Sequence, residues 1–271
     1  MRGTSQASLA TVQDGFEPIL AAAGTDASSL ANELFSVVDL LDSSGPVRRA
    51  LSDPSRDGDD KAALVGSLLT GRADARVVEA VQGLVRGRWS SEEDLVSAVE
   101  HVAVDAALAS AENAGNLETV EEELFRIIQV LAGQRELRRS LVDLRATSAH
   151  RAHLARSVFS GSVAPVTALL LERVAAEPRG RSIVAGLTAV IRAAAARRSR
   201  LVATVTAAAP LTEAQQARLT TLLDEAYGRK VKVHVAVNPE LIGGMRVQIG
   251  SDVVEATVLS RLDDVRRRLA G

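Results

Sequence analysis

The sequence predicts a mainly α protein in which two tandem helical bundles, of about five to six helices each, precede a small α+β domain. Three observations lead to this prediction: a composition rich in Ala, Leu, Val and Arg with only 2% aromatic residues, an internal repeat, and alternating valines near the C-terminus. The chain of 271 residues is long enough for two or three domains. Its 46% apolar and 24% charged residues are typical of a globular protein that folds.

Charge and cysteine content exclude several classes of function. The net charge of −2 gives no overall attraction to nucleic acid or anionic lipid, and the absence of cysteine excludes disulfides and thiolate metal sites. The first 15 residues are polar and lack the layout of a signal peptide, and no run of about 18 apolar residues is present to span a bilayer. We therefore expect a soluble protein that reaches a membrane only through partners.

The first 200 residues contain an internal repeat with an offset of 90. Glu33-Leu34-Phe35 falls on Glu123-Leu124-Phe125, and the register holds without a gap for about forty residues. Chance similarity between amphipathic helices explains shared leucines but not shared arginine pairs, acids and glycines. The positions that also match include Arg48-Arg49 with Arg138-Arg139, Asp53 with Asp143, and Gly71 with Gly161. We predict a duplication, with bundles at residues 1–92 and 93–200.

Each copy has the periodicity of short amphipathic helices. Leu34, Val37, Val38 and Leu41 recur at the spacing of one helix face. Glycines and prolines between such segments predict helix ends, and helices this short must bury their apolar faces against one another. One longer helix, from Ser91 to about Glu112, is predicted to end the first bundle and to begin the second.

The last 71 residues, 201–271, change to an α+β pattern. A strand over 201–207 is followed by a helix capped by Thr212, with Leu219, Leu222 and Leu223 on its inner face. Valines alternate with other residues from 231 to 237, which is typical of a half-buried strand. Two further strands, near 245–249 and 253–254, and a closing helix over 258–269 complete the predicted domain.

This C-terminal segment resembles the signature of the F-type ATP synthase delta subunit family, which includes the mitochondrial oligomycin-sensitivity protein. The residues that carry the resemblance are Leu241, Ile242, Gly243, Gly244, Gly250, Asp252, Glu255, Thr257, Arg261 and Leu262. The family's Asp-Gly-Ser is Glu255-Ala256-Thr257 here, so a turn expected at this point lacks its glycine. The resemblance extends with lower specificity over about 92–200, which makes residues 1–92 an additional copy of the family's helical domain.

The resemblance implies a non-catalytic connector in the peripheral stalk, without a cofactor, a metal or a catalytic residue. Its expected partners are the N-terminal helix of an alpha subunit and the C-terminal end of the b subunit, with one copy per complex at the cytoplasmic face of the plasma membrane. We expect the alpha helix to bind a groove in the second bundle, although either copy is a possible site. The residues predicted to line that groove are Val99, Val102, Ala106, Leu169, Leu170 and Arg173.

Other functions have weaker support in the residues. A helical scaffold unrelated to ATP synthase would account for the repeat but not for the C-terminal signature. The glycines of the segment 66–73 have P-loop spacing, but Arg72 and Ala73 replace the Lys and hydroxyl that grip phosphate and magnesium. His150 and His153 lack further ligands for a metal shell. The acidic run Glu121 to Glu123 is expected in the first turn of a helix, where negative charge is favourable.

Overall fold

The computed structural model describes residues 3–199, 202–227, 231–238, 241, 244–249 and 252–257. The mainly α fold class with a small C-terminal α+β domain is confirmed. The helices are α1 Gly3–Ala23, α2 Ala27–Ser43, α3 Gly45–Ser52, α4 Gly58–Leu69, α5 Ala75–Arg86, α6 Glu92–Asn113, α7 Leu117–Gly133, α8 Arg135–Ser140, α9 Ser148–Phe159, α10 Pro165–Ala176, α11 Ile183–Ser199 and α12 Glu213–Tyr227. The strands are β1 Val202–Ala207, β2 Lys232–Val237, β3 Gly244–Ile249 and β4 Asp252–Thr257.

The helices of the two copies follow the repeat. The bounds of α2 and α7, of α4 and α9, and of α5 and α10 are 90 residues apart at both ends. The apolar faces correspond as well, because Leu34 and Leu124 are both fully buried, as are Leu41 at 1% and Leu131 at 0% exposure. The duplication inferred from the sequence is therefore visible in the helices themselves.

A glutamate at equivalent positions of the repeat accepts the same kind of hydrogen bond in each copy, and it is partly buried as Glu33 and buried as Glu123. The Glu33 carboxylate accepts a hydrogen bond from the backbone N–H of Asp74 at 2.7 Å, and the Glu123 carboxylate accepts one from Ala164 at 2.9 Å. Both contacts satisfy an N–H at the start of the fifth helix of the copy, where backbone donors lack helical partners. The prediction that Glu123 lies in a first helical turn was wrong, because α7 begins at Leu117 and places Glu123 in its buried second turn.

Helix α6 belongs to both copies. It packs against α1, α2, α3 and α5 of the first copy and against α7 and α10 of the second. Ser91 caps its start by accepting a hydrogen bond from the N–H of Asp94 at 3.2 Å. One long helix that ends the first copy and begins the second was predicted, and the structure confirms it. The division at 92/93 into two domains stays a prediction.

Two units with separate cores make up the described chain. The first, Met1–Ala194, holds one apolar core that runs through the helices of both copies. The second, Ala195–Gly271, contains the sheet, whose core is formed by Ala203, Val205, Val231, Val247 and Ile249. Among the helices of the described residues, none combines the length and the apolar character that a membrane span requires.

The second unit is a four-stranded sheet in the order β2-β1-β3-β4, with β1 and β2 parallel and the other pairs antiparallel. Thr212 caps α12 as predicted, because its hydroxyl accepts from the N–H of Gln215 while its own N–H donates to the Gln215 side chain. Leu219 and Leu223 pack on the sheet, whereas Leu222 is 53% exposed, so its predicted inward orientation was wrong. It lies about 100° around the helix from Leu223.

Candidate partner-binding site

A groove on the second copy runs between α6, α10 and α11. Its floor is apolar, and its residues are Val104 of α6, Val174 of α10, and Gly186, Ala189, Val190 and Ala193 of α11. Glu100, His101, Glu177, Pro178 and Arg181 form its rim. The groove holds about 80 Å³, well below the 300–1,000 Å³ that is typical of small-molecule sites. It therefore fits side chains of a partner protein better than a substrate.

Small residues keep this groove open. A side-chain carbon at Gly186 would lie 2.4 Å from Cγ1 of Val174, so α11 comes close to α10 only because this position is glycine. Ala189 and Ala193 continue the same face of α11 at the spacing of one and two turns. Because their side chains end at Cβ, they leave room above Val104 and Val190 for an approaching helix.

The corresponding face of the first copy is closed. The repeat partners of Gly186, Ala189 and Ala193 are Val96, Val99 and Ala103, which are 1%, 0% and 0% exposed. The start of α1 is also tied down, since the Ser5 hydroxyl donates to Asp94 at 2.7 Å and that of Ser8 donates to the carbonyl of Arg88 at 3.1 Å. Within the described residues, this face is therefore buried in the first copy and lines an open apolar groove in the second.

An ion-pair cluster borders the groove. Arg179 donates to Glu100 at 2.7 Å and to Asp42 at 2.9 Å. Burial opposes the positive charge, but these two carboxylates outweigh it and raise the pKa of Arg179 above its usual range. Arg179 has φ 49°, a left-handed conformation that is uncommon for a residue with a side chain. The cluster fixes one wall of the groove against the first copy.

The structure places most of the predicted groove residues elsewhere. Val99, Val102, Ala106 and Leu170 are 0–1% exposed in the core. The prediction took the most apolar face of α6 as the binding face, but that face packs inside the bundle, and the open side presents Glu100, His101 and Val104. The other two predicted residues, Leu169 and Arg173, border a second cleft, between α2 and the α9–α10 pair.

The Arg173 side chain contacts α2 and does not line the α6–α10–α11 groove. Its guanidinium donates to Asp39 at 2.7 Å and 3.0 Å and lies 4.6 Å from the centre of the Phe35 ring. Both partners are on α2, so Arg173 joins the second copy to the first.

Only some residues of the family signature belong to the described part of the second unit. Leu241 follows β2, and its N–H donates to the carbonyl of Asn238 at 3.2 Å. Gly244 has φ 87° and begins β3, which explains why glycine suits this position. The remaining signature positions in the described chain are Asp252, Glu255 and Thr257 of β4. Ile242, Gly243, Gly250, Arg261 and Leu262, and the predicted helix 258–269, lie outside the described residues.

The turn expected at Glu255-Ala256-Thr257 was wrong. These residues continue β4 and pair with β3, where Glu255 is opposite Arg246. A strand does not require glycine, so the absence of the family's glycine is compatible with the observed backbone.

The described residues contain no cluster of three or more His, Asp or Glu side chains that is suited to a metal ion. His150 and His153 are both exposed on α9. The segment 66–73 with P-loop spacing includes the end of α4 and a turn, so it has no strand before it.

Comparison with known proteins agrees with the signature. The family model described as ATP synthase delta (OSCP) subunit matches residues 104–269. The chain belongs to this family. It is 49% identical to ATP synthase subunit delta of Beutenbergia cavernae and 40% identical to that of Streptomyces griseus, with 100% of each chain covered in both cases. It is 43% identical to that of Kineococcus radiotolerans, over 99% of this chain and 98% of the relative.

These alignments cover 99–100% of this chain and therefore include all or nearly all of residues 1–92, so the three relatives share the extended layout. A chain in a cryo-EM structure of the Toxoplasma gondii mitochondrial ATP synthase hexamer is also similar, with 17% identity and a TM-score of 0.33, and it covers 62% of this chain and 95% of its own length.

The residues that line the groove of the second copy were not predicted from the sequence. Its signal was the spacing of Gly186, Ala189 and Ala193 on one face of α11. Small residues at such spacing are equally typical of closely packed helices, as the buried alanines of α6 show. Only the three-dimensional structure distinguishes the two cases.

Proposed function

We propose that this chain is a non-catalytic connector in the peripheral stalk of F-type ATP synthase. In this proposal it links the catalytic headpiece to the membrane-anchored b subunit and resists the torque of the rotating shaft. It acts at the cytoplasmic face of the plasma membrane, in one copy per complex, and is held there by its partners. Membership of the delta family supports this role, and the observation that carries it is the open apolar groove of the second copy.

The groove suits the N-terminal helix of an alpha subunit. Helix-in-groove recognition requires an apolar floor for the inner face of the partner helix and polar groups at the rim that fix its direction. Val104, Val190 and Ala193 supply the floor, and Glu100 and Arg181 supply charges of both signs. We propose the second unit, 195–271, as the site that holds the C-terminal end of the b subunit, as the family resemblance implies.

A tether that resists torque needs a slow dissociation rate, and large apolar contacts provide one more readily than surface ion pairs. The first copy, whose equivalent groove is closed, then lengthens or braces the stalk. A helical scaffold outside ATP synthase is the alternative, and the family match argues against it.

Filling the groove tests this function. Ala189 is an exposed residue of the groove floor, and Ala10 is exposed at the corresponding side of α1 in the first copy. We expect Ala189→Trp to weaken binding of an alpha N-terminal peptide to the full chain by at least about tenfold, which corresponds to about 1.4 kcal/mol. The matched variant Ala10→Trp should bind like the unmodified chain. Equal binding by both variants, measured by calorimetric titration, would refute the groove as the site.

A further inference from the structure

The repeat contains a phenylalanine whose environment differs sharply between the copies. Phe35 of α2 is 2% exposed, whereas its repeat partner, Phe125 of α7, is 56% exposed. The two residues occupy the same position on helices with matching bounds. The first copy therefore shows what covers this helix face when it is occupied.

The cover of Phe35 comes from the second copy. Arg173 of α10 lies over the ring at 4.6 Å and donates to Asp39 one turn further along α2. Arg179 adds a second contact to Asp42 on the same side of the helix. The covering element is thus a helix with its following loop, and it presents cations to an aromatic ring and two acids.

The equivalent face of α7 is more apolar. Gln129 and Ala132 stand where Asp39 and Asp42 stand in the first copy, so the two acids that attract arginines are missing. Beside Phe125 the face continues with Ile128, which is partly buried. Glu122 lies exposed at the N-terminal side of this face, where its carboxylate forms a 4.0 Å pair with the exposed Arg126 one turn further along α7. An exposed pair of this kind is weak, so Glu122 stays accessible to a basic residue of a partner. A suitable occupant has an apolar stripe for the ring and a basic residue near Glu122.

A second copy of this chain cannot cover Phe125 in the way that Phe35 is covered. The surface that would cover Phe125, by analogy with the first copy, is the one around Arg173 on α10. In every molecule that surface already contacts its own α2 through Asp39 and Phe35. The geometry therefore favours a different polypeptide.

We propose that the α7 face around Phe125 is a second docking surface, which binds an amphipathic helix of another ATP synthase subunit with an apolar stripe flanked by Lys or Arg. This inference rests on the proposed function. It adds a contact on α7, a helix of the second copy that does not line the α6–α10–α11 groove, and it gives the connector a third attachment besides the groove and the sheet domain.

Photo-crosslinking in the intact enzyme tests the surface. The full chain, with p-benzoylphenylalanine at position 125 or at position 144, is assembled into ATP synthase and irradiated. Leu144 is a matched control, since it is 75% exposed and lies between α8 and α9. We expect position 125 to form an adduct with an apolar, Lys- or Arg-flanked helix of another subunit, and position 144 to form none. No adduct at 125, equal adducts at both positions, or an adduct to a second copy of this chain would overturn the proposal.

A charge variant provides an independent measurement. Phe125→Glu should speed the loss of the chain from the enzyme in salt washes at least tenfold, because a carboxylate replaces the apolar contact beside Glu122. Leu144→Glu should behave like the unmodified chain, and circular dichroism checks that both variants fold. If the Phe125→Glu chain stays on the enzyme as long as the unmodified chain, the proposed docking surface is contradicted. Failure of the chain to assemble with ATP synthase at all would instead refute the proposed function, so the two failures are distinguishable.

Discussion

Lys61 and Arg151 are buried cations at equivalent positions of the two copies, each 4% exposed. The Arg151 guanidinium donates to the carbonyls of Ala175 and Ala176 at the end of α10 and to those of Asp143 and Ala146 in the preceding turn. It therefore satisfies helix C-terminal carbonyls that have no helical donor, and it joins them to a loop. Burial lowers the pKa of Lys61, and the nearby charges of Asp53 and Asp57 oppose that effect.

Replacing the two cations should have unequal effects. Arg151→Met removes charged hydrogen bonds to buried carbonyls, and we expect it to lower the free energy of unfolding by about 2–4 kcal/mol. Lys61→Met removes a charge that burial already disfavours, and we expect a loss below about 1 kcal/mol. Urea unfolding followed by circular dichroism measures both. An equal or larger loss for Lys61→Met would show that this assignment of roles is wrong.

At the scale of single elements, α6 determines how the repeat can be divided. Leu95, Val99, Val102 and Ala106 of α6 are 0–1% exposed, and much of that burial is against helices of the first copy. A fragment that stops at residue 92 lacks this helix, and its core would be open to water.

Two truncated chains test the role of α6. We expect residues 1–113 to unfold cooperatively on heating and residues 1–92 to lack a cooperative transition, because burying the α6 side chains contributes about 1.5–3 kcal/mol each for the larger ones. Thermal scans of the far-ultraviolet circular dichroism compare the two fragments. A cooperative transition of 1–92 at the same temperature would mean that α6 is dispensable for the first copy.

The elements that could be predicted are those whose signal is local. Apolar periodicity located α2 and α7, and the alternating valines located β2. The Thr212 cap could also be predicted from the sequence, because its partner Gln215 is only three residues away. Glu123 was placed one turn too early because α7 begins at Leu117, and its role was not predictable because the N–H that donates to it belongs to Ala164, 41 residues away.

The candidate site was predictable only in part. The sequence favoured the second copy as the binding copy, and the open groove there supports that proposal. It did not separate the buried face of α6 from the open one, since Val99 and Val104 are equally apolar and differ only in what packs on them. Tertiary packing, rather than residue type, decides which face remains accessible.

At the scale of the whole molecule, arginines of the second copy hold the first. Arg179 bridges Asp42 of α2 and Glu100 of α6, and its side chain is only 18% exposed. Arg173 adds the bidentate pair with Asp39. Partial burial makes such bidentate pairs stronger than ordinary surface pairs. In the function that we propose, a connector under torque would benefit from copies that are fixed to each other.

Breaking this cluster should loosen the joint between the copies. We expect Arg179→Met to lower the free energy of unfolding by about 1–3 kcal/mol, because Asp42 and Glu100 lose their shared cation. Hydrogen exchange should accelerate near the start of α11. Arg145→Met is the control, since the Arg145 side chain is 85% exposed and its pair with Asp143 is local. Equal effects of the two variants would exclude a special role for the Arg179 cluster.

A cryo-EM map of the intact ATP synthase that contains this chain tests the central claim most directly. We expect a helix of an alpha subunit in the α6–α10–α11 groove, over Val104 and Ala189, and the end of a b subunit against the second unit, residues 195–271. The corresponding side of α1 in the first copy should carry no such helix. A map in which the groove is empty, or in which headpiece and b subunit both bind elsewhere on the chain, would contradict the account.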